Sequence, residues 1–201
     1  MSQKTNIIVL IAIIIALIAI LPLSSHANWL EDSVDIALAY GTHIAVHESG
    51  HYVYARYHNM NPHIKFFKDG YTGQVVCDNV SENRQFGLGI SGELASSALF
   101  EIALNSYKNN KTIYNKSLIY ITNYYFLLYT SYSFLFDDKN KANDPVRVRK
   151  ALNISEIELF SIVLFDTWFN HKRIHGDSNV EYSLYFNKYN DGVFYGLKYI
   201  F

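Results

Sequence analysis

The spacing of apolar residues along the chain predicts a mainly helical protein. From Ser33 to about Asn59 the apolar positions recur with helical periodicity, and no proline interrupts them. Asp32 or Ser33 is suited to cap the start of this helix, and Asn61 precedes a proline beyond its end. Further helices are predicted at 84–107, 117–136, 146–152 and 156–170.

Two of these helices carry recognisable start signals. Asp144 precedes Pro145, and a proline is well tolerated in the first turn of a helix, so a short helix with Asp144 at its cap is predicted. Ser155 and Glu158 have the spacing of a capping box, in which each side chain bonds to the backbone of the other residue. This pair predicts the start of the helix that runs to about Asn170.

Two stretches of alternating residues predict β-hairpins. Residues 63–67 and 74–77 flank a glycine-containing turn. Near the C-terminus, residues 181–186 and 193–201 flank Asn190-Asp191-Gly192, a sequence typical of a tight turn. We interpret this second hairpin as a lid or docking element. The predicted fold class is therefore α+β, mainly helical, with a small hairpin after the first helix and another at the C-terminus.

Residues 1–27 predict a targeting segment. Lys4 is followed by the unbroken apolar run Ile7–Leu21, and Ser25 and Ala27 fit the small-x-small pattern of a cleavage site. The run is shorter than the about 20 residues that a bilayer span needs. These features favour a cleaved signal peptide, with an uncleaved membrane anchor as the alternative. Both predict an exported protein, either periplasmic or anchored in the membrane and facing the envelope.

The composition suits one globular domain with appendages. The chain has 201 residues, half of them hydrophobic, and a formal net charge of −1. It has no basic patch, so nucleic acid is not an expected partner. Cys77 is the single cysteine, which excludes an internal disulfide. The predicted organisation is a signal peptide or anchor at 1–27, a zincin-like domain at 28–178 and the hairpin at 179–201.

One predicted helix has the length of a membrane span. The stretch 117–136 contains no charged residue, and a bilayer span needs about 20 residues. It also contains Thr122, Asn123 and several tyrosines. We therefore interpret it as a buried, aromatic-rich helix, or one that lies at a membrane interface. A true span is the alternative.

The clearest chemistry lies in His47-Glu48-Ser49-Gly50-His51, an HExxH motif inside the first predicted helix. Residues four apart lie on the same face of a helix, so His47 and His51 can bind one metal ion. Glu48 projects beside them, where it can take a proton from a water molecule at the metal. This combination predicts zinc-dependent hydrolysis of peptide bonds. The alternative is a helix with two partly buried histidines and no metal.

Small residues predict close packing at this motif. Gly50 inside a helix costs roughly 1 kcal/mol relative to alanine. That cost is easier to explain if another backbone passes close to the site. The second predicted helix is rich in small residues over 87–98 and would permit such an approach.

The order of features over 42–148 resembles the peptidase domain of FtsH-type, membrane-bound, ATP-dependent zinc proteases. That family has a His-Glu-Ala-Gly-His helix, as in His47–His51 here, followed by a strand similar to Pro62–Phe66. A helix similar to Leu88–Ala95 comes next, and later an Asn-Asp pair similar to Asn143-Asp144. The resemblance implies that Asp144 is the third zinc ligand. Some character is also shared with site-2 intramembrane proteases.

The third ligand has several candidates. A catalytic zinc needs three protein ligands and one open position. Asp144 is preferred, because an acidic cap can direct one oxygen to the metal. Glu93 and Glu101 are the alternatives, since a glutamate from a second helix is the third ligand in other zincins. The remaining candidates are Asp137, Asp138 and Asp166.

Three further histidines need an interpretation. His43 lies about 12 Å from His51 along the helix axis, too far for one ion, and is expected to be a core or supporting histidine. His171 and His175 are four residues apart, with Lys172 and Arg173 between them. They are interpreted as a solvated helix end, with a second metal pair as the alternative.

The function predicted from these residues is an ATP-independent zinc metalloprotease, an endopeptidase acting on peptides or proteins of the envelope or membrane. Glu48 is the general base, and His47, His51 and Asp144 bind Zn²⁺. No GxxxxGK[ST] phosphate loop is present, so a nucleotide partner is not expected. The alternatives are an exported binding module with a structural metal or none, and an intramembrane site-2-like protease.

Overall fold

The computed structural model describes residues 29–68, 71–78, 80–136, 143–176, 181–189 and 192–200. Within these ranges the protein is mainly helical, as predicted, with two small antiparallel hairpins. The predicted signal peptide or anchor at 1–27 lies outside them. The helices are α1 (Trp29–Tyr57), α2 (Gln85–Asn109), α3 (Ile113–Phe136), α4 (Asp144–Leu152) and α5 (Glu156–Ile174). The strands are β1 (Pro62–Lys68), β2 (Tyr71–Cys77), β3 (Glu181–Tyr189) and β4 (Gly192–Ile200).

The main core forms where α1, α2 and α3 pack against one another. Burial of an aliphatic or aromatic side chain contributes about 1.5–3 kcal/mol, so this cluster holds the three helices together. A second, smaller cluster joins α4 and α5 to α2 and α3. The main cluster consists of Ala39, Leu99, Phe100, Ala103, Leu104, Leu118, Ile119 and Ile121.

The close approach predicted at Gly50 is present. A Cβ added to Gly50 would overlap the carbonyl oxygen of Ser91 on α2 and lie 2.8 Å from the Cβ of Ala95. Any larger residue would therefore force α1 and α2 apart. This helix contact explains the glycine in the HExxH motif. It brings α2 next to the Nδ1 atoms of the two histidines.

The start of α1 differs from the prediction. The helix already includes Trp29, so Asp32 and Ser33 lie inside it and do not cap it. Glu31 and Asp32 instead stand in the first turn, where acidic side chains interact favourably with the helix dipole. The helix ends at Tyr57, within two residues of the predicted end. Asn59, just beyond it, takes a left-handed conformation with φ of 55°, which is typical of the residues that follow a helix.

The hairpin after α1 is confirmed, with longer strands than predicted. β1 pairs with β2 in an antiparallel register that places Pro62 opposite Cys77 and Ile64 opposite Val75. β2 packs against α1, with Gly73 lying over Glu48. The C-terminal hairpin is also confirmed as an antiparallel pair of β3 and β4.

The cap of α4 is one residue earlier than predicted. Asn143 is the N-cap, and its side-chain oxygen accepts a hydrogen bond of 3.0 Å from the backbone N–H of Val146. The prediction of Asp144 as the cap was therefore wrong. Because the amide of Asn143 fulfils that role, the Asp144 carboxylate in the first turn is available for other contacts. At α5 the capping box of Ser155 and Glu158 is confirmed, and the helix continues beyond Asn170.

By length and composition, one stretch of the described residues is apolar enough to cross a membrane. It is Glu82–Asn109, which contains α2, and half of its apolar window is buried inside the fold. The stretch 117–136, for which a span was considered, does not meet the same criteria. In α3 the residues Ser117 to Asn123 are buried, which agrees with its interpretation as a packed helix.

Candidate metal centre

Three buried side chains converge on one point between α1 and α4. His47, His51 and Asp144 each offer one donor atom, and all three donors lie within 4.8 Å of one another. The two Nε2 atoms are 3.1 Å apart. Oδ2 of Asp144 lies 3.0 Å from Nε2 of His51 and 3.5 Å from Nε2 of His47. This group could therefore hold a metal ion.

The spacing can be tested against tetrahedral coordination. Zinc binds imidazole nitrogen and carboxylate oxygen at about 2.0–2.2 Å, which places two ligand atoms of a tetrahedral site roughly 3.3–3.5 Å apart. The three observed separations are close to this range. Two imidazoles and a carboxylate are also a donor set typical of catalytic zinc. The described residues add no fourth protein donor to the group.

The other nitrogen of each imidazole is held by α2. Nδ1 of His51 lies 2.7 Å from the carbonyl oxygen of Leu88, which can only accept, so this nitrogen carries the hydrogen. Nδ1 of His47 lies 3.1 Å from the hydroxyl of Ser96 and 3.5 Å from Oε1 of Glu93. Such contacts fix the ring orientation and leave Nε2 of His51 with a lone pair for a metal.

Gly92 makes room for the two rings. A Cβ at this position would overlap Nε2 of His51 and lie 2.7 Å from Nε2 of His47. Only glycine lets the α2 backbone approach the donor atoms this closely. The small residues predicted to aid packing therefore have a specific function here, since they bring a helix against the metal-binding group.

Glu48 faces the same cavity from α1. Its Oε2 accepts a hydrogen bond of 2.8 Å from the backbone N–H of Val75, so β2 fixes the carboxylate in place. Burial raises the pKa of Glu48, and the neighbouring His47 and His51 only partly oppose this effect. A carboxylate with a raised pKa is a better proton acceptor than an exposed glutamate.

Charge coupling within the group is strong. Burial lowers the pKa of His51, but the carboxylate of Asp144 outweighs burial and raises the pKa to about 9. Burial would likewise raise the pKa of Asp144, but the two imidazoles beside it hold that pKa well below its ordinary value. Without a metal, the structure therefore favours a proton on His51 and a charged Asp144. A cation at this point would replace that proton.

The alternative third ligands lie elsewhere. Glu93 stands behind His47, near Nδ1, and burial raises its pKa to about 7. Glu101 forms two hydrogen bonds with the guanidinium of Arg173, at 2.6 and 2.7 Å. Asp166 accepts a hydrogen bond from Asn170 and does not belong to the group. The remaining candidates, Asp137 and Asp138, lie outside the described residues.

The other histidines pack against tyrosines of α3. His43 is completely buried, with its ring centroid 4.4 Å from that of Tyr125, which agrees with the prediction of a core histidine. His171 lies 2.7 Å from the Tyr124 hydroxyl, and His175 lies 3.2 Å from the Tyr120 hydroxyl. His171 is half-buried against α3, whereas His175 is exposed, so the interpretation as a solvated helix end is confirmed for His175 and was wrong for His171.

A cavity of about 50 Å³ opens beside the donor atoms, and sequence reasoning missed three of the residues that line it. Tyr125 and Tyr129 come from α3, and the sequence contains no signal that separates them from the other tyrosines. Arg147 follows Asp144 by three residues, a spacing that places two side chains on one face of a helix. That spacing is the signal that could have identified it.

Comparisons with models of known protein families, with curated proteins and with solved structures found no match for this chain. The residues of the site are therefore the observations that bear on function. The parts of the site are three converging donors, the additional carboxylate of Glu48 that β2 fixes in place, and a cavity that all four side chains line.

Proposed function

We propose that the chain is a zinc-dependent, ATP-independent peptidase that hydrolyses peptide bonds of exported or membrane-associated proteins. One observation supports this most directly. The carboxylate of Glu48 lines the same cavity as the side chains of His47, His51 and Asp144. The hydrogen bond that it accepts from the backbone N–H of Val75 holds it there. We infer a zincin-like domain with Asp144 as its third ligand, in line with the resemblance to FtsH-type peptidases.

Each ligand has a defined role in this proposal. His47 and His51 supply imidazole nitrogens, and Asp144 supplies one carboxylate oxygen. A zinc ion bound there would polarise the scissile carbonyl and make a water molecule more acidic. The absence of a fourth protein donor among the described residues favours a catalytic centre over a purely structural metal site.

Glu48 then acts as general base and general acid. Its carboxylate takes a proton from the attacking water and later transfers that proton to the leaving amine. The N–H of Val75 holds Oε2, so Oε1 is the oxygen left to accept the proton. Because burial raises the pKa of Glu48, its protonated form is reached more readily than that of an exposed glutamate, which favours the second half of this cycle.

β2 is suited to align the substrate. One of its edges pairs with β1, and the N–H of Val75 points the other way, toward Glu48. The second edge of β2 therefore faces the cavity. An extended peptide can add to such an edge through backbone hydrogen bonds, and this would place its carbonyl groups beside the metal.

The test is the Glu48→Gln variant, compared with Glu31→Gln, which makes the same change at an exposed position of α1. We expect Glu48→Gln to retain one zinc per chain and to lose about 10³-fold or more in hydrolysis of a casein or peptide-library substrate. Glu31→Gln should match the wild type in both measurements.

Two outcomes would overturn the proposal. One is full hydrolysis by Glu48→Gln in a preparation free of contaminating proteases. The other is a zinc-loaded wild type that hydrolyses no member of the library, which would favour the alternative of an exported binding module with a structural metal.

A further inference from the structure

Arg147 places a positive charge in the wall of the metal cavity, and no described residue forms an ion pair with it. It lines the cavity together with Glu48, Asp144 and Val75. Its Nε is fully buried and has no hydrogen-bond partner in the part of the chain that the structure describes. Within the described ranges, no carboxylate lies within ion-pair distance of this guanidinium. Burying a cation without a partner costs free energy, and an anion bound beside it would offset that cost.

Three other arginines, unlike Arg147, have a hydrogen-bond or ion-pair partner among the described residues. Arg173 binds both oxygens of Glu101, and Arg149 lies 3.3 Å from a carboxylate oxygen of Glu156. Arg84 donates to the carbonyl oxygen of His58. Arg147 and Arg149 are two residues apart on α4, yet only Arg149 has a carboxylate partner.

The charges that line the cavity also favour an anion beside Arg147. The carboxylates of Glu48 and Asp144 are its two negative groups, and a divalent cation at the donor atoms would neutralise both. Glu93 is also buried nearby, but it lies on the far side of His47 and does not line the cavity. The charge of Arg147 would then remain, so the cavity of the metal-loaded protein would attract an anion.

The position of Arg147 places that anion beside the substrate. Its Cβ packs close to Gly89 of α2, and its positive charge lowers the pKa of Cys77 at the end of β2, partly opposing the effect of burial. Arg147 therefore stands next to the strand that is proposed to align the peptide. A peptide lying along β2 would carry its side chains or its terminus past this guanidinium.

We propose that Arg147 binds a carboxylate of the substrate, so that the peptidase prefers peptides with a carboxylate close to the scissile bond. This inference rests on the proposed function. A guanidinium presents two parallel N–H groups to a carboxylate, which gives both affinity and geometric selection. The carboxylate belongs either to an aspartate or glutamate side chain or to the C-terminus of the peptide.

The test compares matched peptides with wild type, Arg147→Gln and Arg147→Lys. One peptide pair differs by glutamate against glutamine next to the bond cleaved in a library, and a second pair differs by a free C-terminal carboxylate against an amide. We expect the wild type to prefer one acidic member by about 10–100-fold in kcat/KM. The pair that shows the preference identifies the source of the carboxylate.

The variants should change selectivity and leave the metal site intact. In Arg147→Gln the preference should fall to about one, while the neutral peptides are still cleaved and one zinc is retained. Arg147→Lys should keep part of the preference, because it retains the charge and loses the paired N–H groups. Arg149→Gln is the matched control on the same helix and should behave as the wild type.

A binding measurement separates this inference from the proposed function. The same peptides, labelled for fluorescence anisotropy, are titrated into zinc-loaded Glu48→Gln protein with and without Arg147→Gln. If the wild type cleaves nothing, the peptidase proposal fails, whereas an Arg147-dependent preference for the acidic peptides in binding would still support this inference. Equal or absent binding of acidic and neutral peptides, or a preference that survives Arg147→Gln, would overturn it.

Discussion

Two histidine pairs with the same helical spacing, one on α1 and one on α5, have different surroundings. His47 and His51 lie on α1 with ring centroids 4.8 Å apart, and His171 and His175 lie on α5 with ring centroids 4.4 Å apart. The first pair faces the carboxylate of Asp144. The second pair faces tyrosine hydroxyl groups of α3. The spacing of two histidines on one helix is therefore not enough to predict a metal site. The residues on the helix opposite each pair decide whether a third ligand is present.

The difference arises from the residues opposite each pair. Gly92 lets a backbone approach the first pair and hold both Nδ1 atoms with α2 groups, so that the Nε2 atoms converge. Tyr120 and Tyr124 bring bulky rings and neutral hydroxyl groups to the second pair. A neutral phenol is a poor ligand compared with a carboxylate.

The largest predicted effect is the difference in metal affinity between the pairs. Zinc should bind once and tightly, and His47→Ala should remove that site. His171→Ala is the matched control and should leave it unchanged. We expect any binding at the second pair to be about 1000-fold weaker, because the described residues form a three-donor group with a carboxylate only at the first pair. Competition with a chromophoric chelator measures both sites. Equal loss of tight binding in the two variants would contradict the comparison.

The next effect concerns Gly92, the residue that lets α2 approach the first histidine pair. In Gly92→Ala the new Cβ would overlap the donor nitrogens, so the rings must turn away. We expect zinc affinity to fall by about 100-fold, a loss similar to that caused by removing partners that orient metal ligands. Gly41→Ala is the control, since a Cβ there meets no atom within 4 Å. An unchanged affinity in Gly92→Ala would show that the close approach of α2 is not needed.

The smallest effect, at most about tenfold in the unfolding equilibrium for each pH unit, concerns His43, which shares α1 with the first pair and binds no metal in the proposal. Burial, and then the neighbouring His47, lower the pKa of His43 from 6.5 to about 3. Because the folded pKa lies below the unfolded value, the folded state resists protonation. The free energy of unfolding should therefore fall as the pH drops from 6.5 toward 4, by at most about 1.4 kcal/mol per pH unit.

Urea unfolding of the metal-free protein at several pH values tests this prediction. His43→Phe keeps a ring against Tyr125 and removes the titrating group. Its stability should therefore fall less steeply over the same pH range. Parallel curves for the wild type and the variant would show that His43 does not control acid stability.

Much of the fold could be predicted because its signals are local. Apolar periodicity indicated α1, α2 and α3, the Asp144-Pro145 sequence indicated α4, and the Ser155–Glu158 pair located the start of α5. The errors occur where neighbouring residues compete for one role. Asp32 and Ser33 have the chemistry of caps, yet α1 extends past them. Asn143 and Asp144 can both cap a helix, and the choice between them depends on contacts with distant residues.

The candidate site was partly predictable for the same reason. His47, Glu48 and His51 form a motif within five residues. Asp144 required a resemblance to known proteins, because no local pattern connects it to α1. The spacing of three residues from Asp144 could have placed Arg147 on the same face of α4, but its lack of a partner among the described residues depends on the packing of the whole fold.

The distance between the ligands along the chain has a consequence for folding. His51 and Asp144 are separated by 93 residues, and Cys77 is the only cysteine, so no disulfide can cross-link the chain internally. A metal bound at this centre would close a loop of about that length. In the chain-entropy model of cross-links, closing such a loop removes about 4–5 kcal/mol of freedom from the unfolded state. The ion would therefore act as a removable staple between α1 and α4.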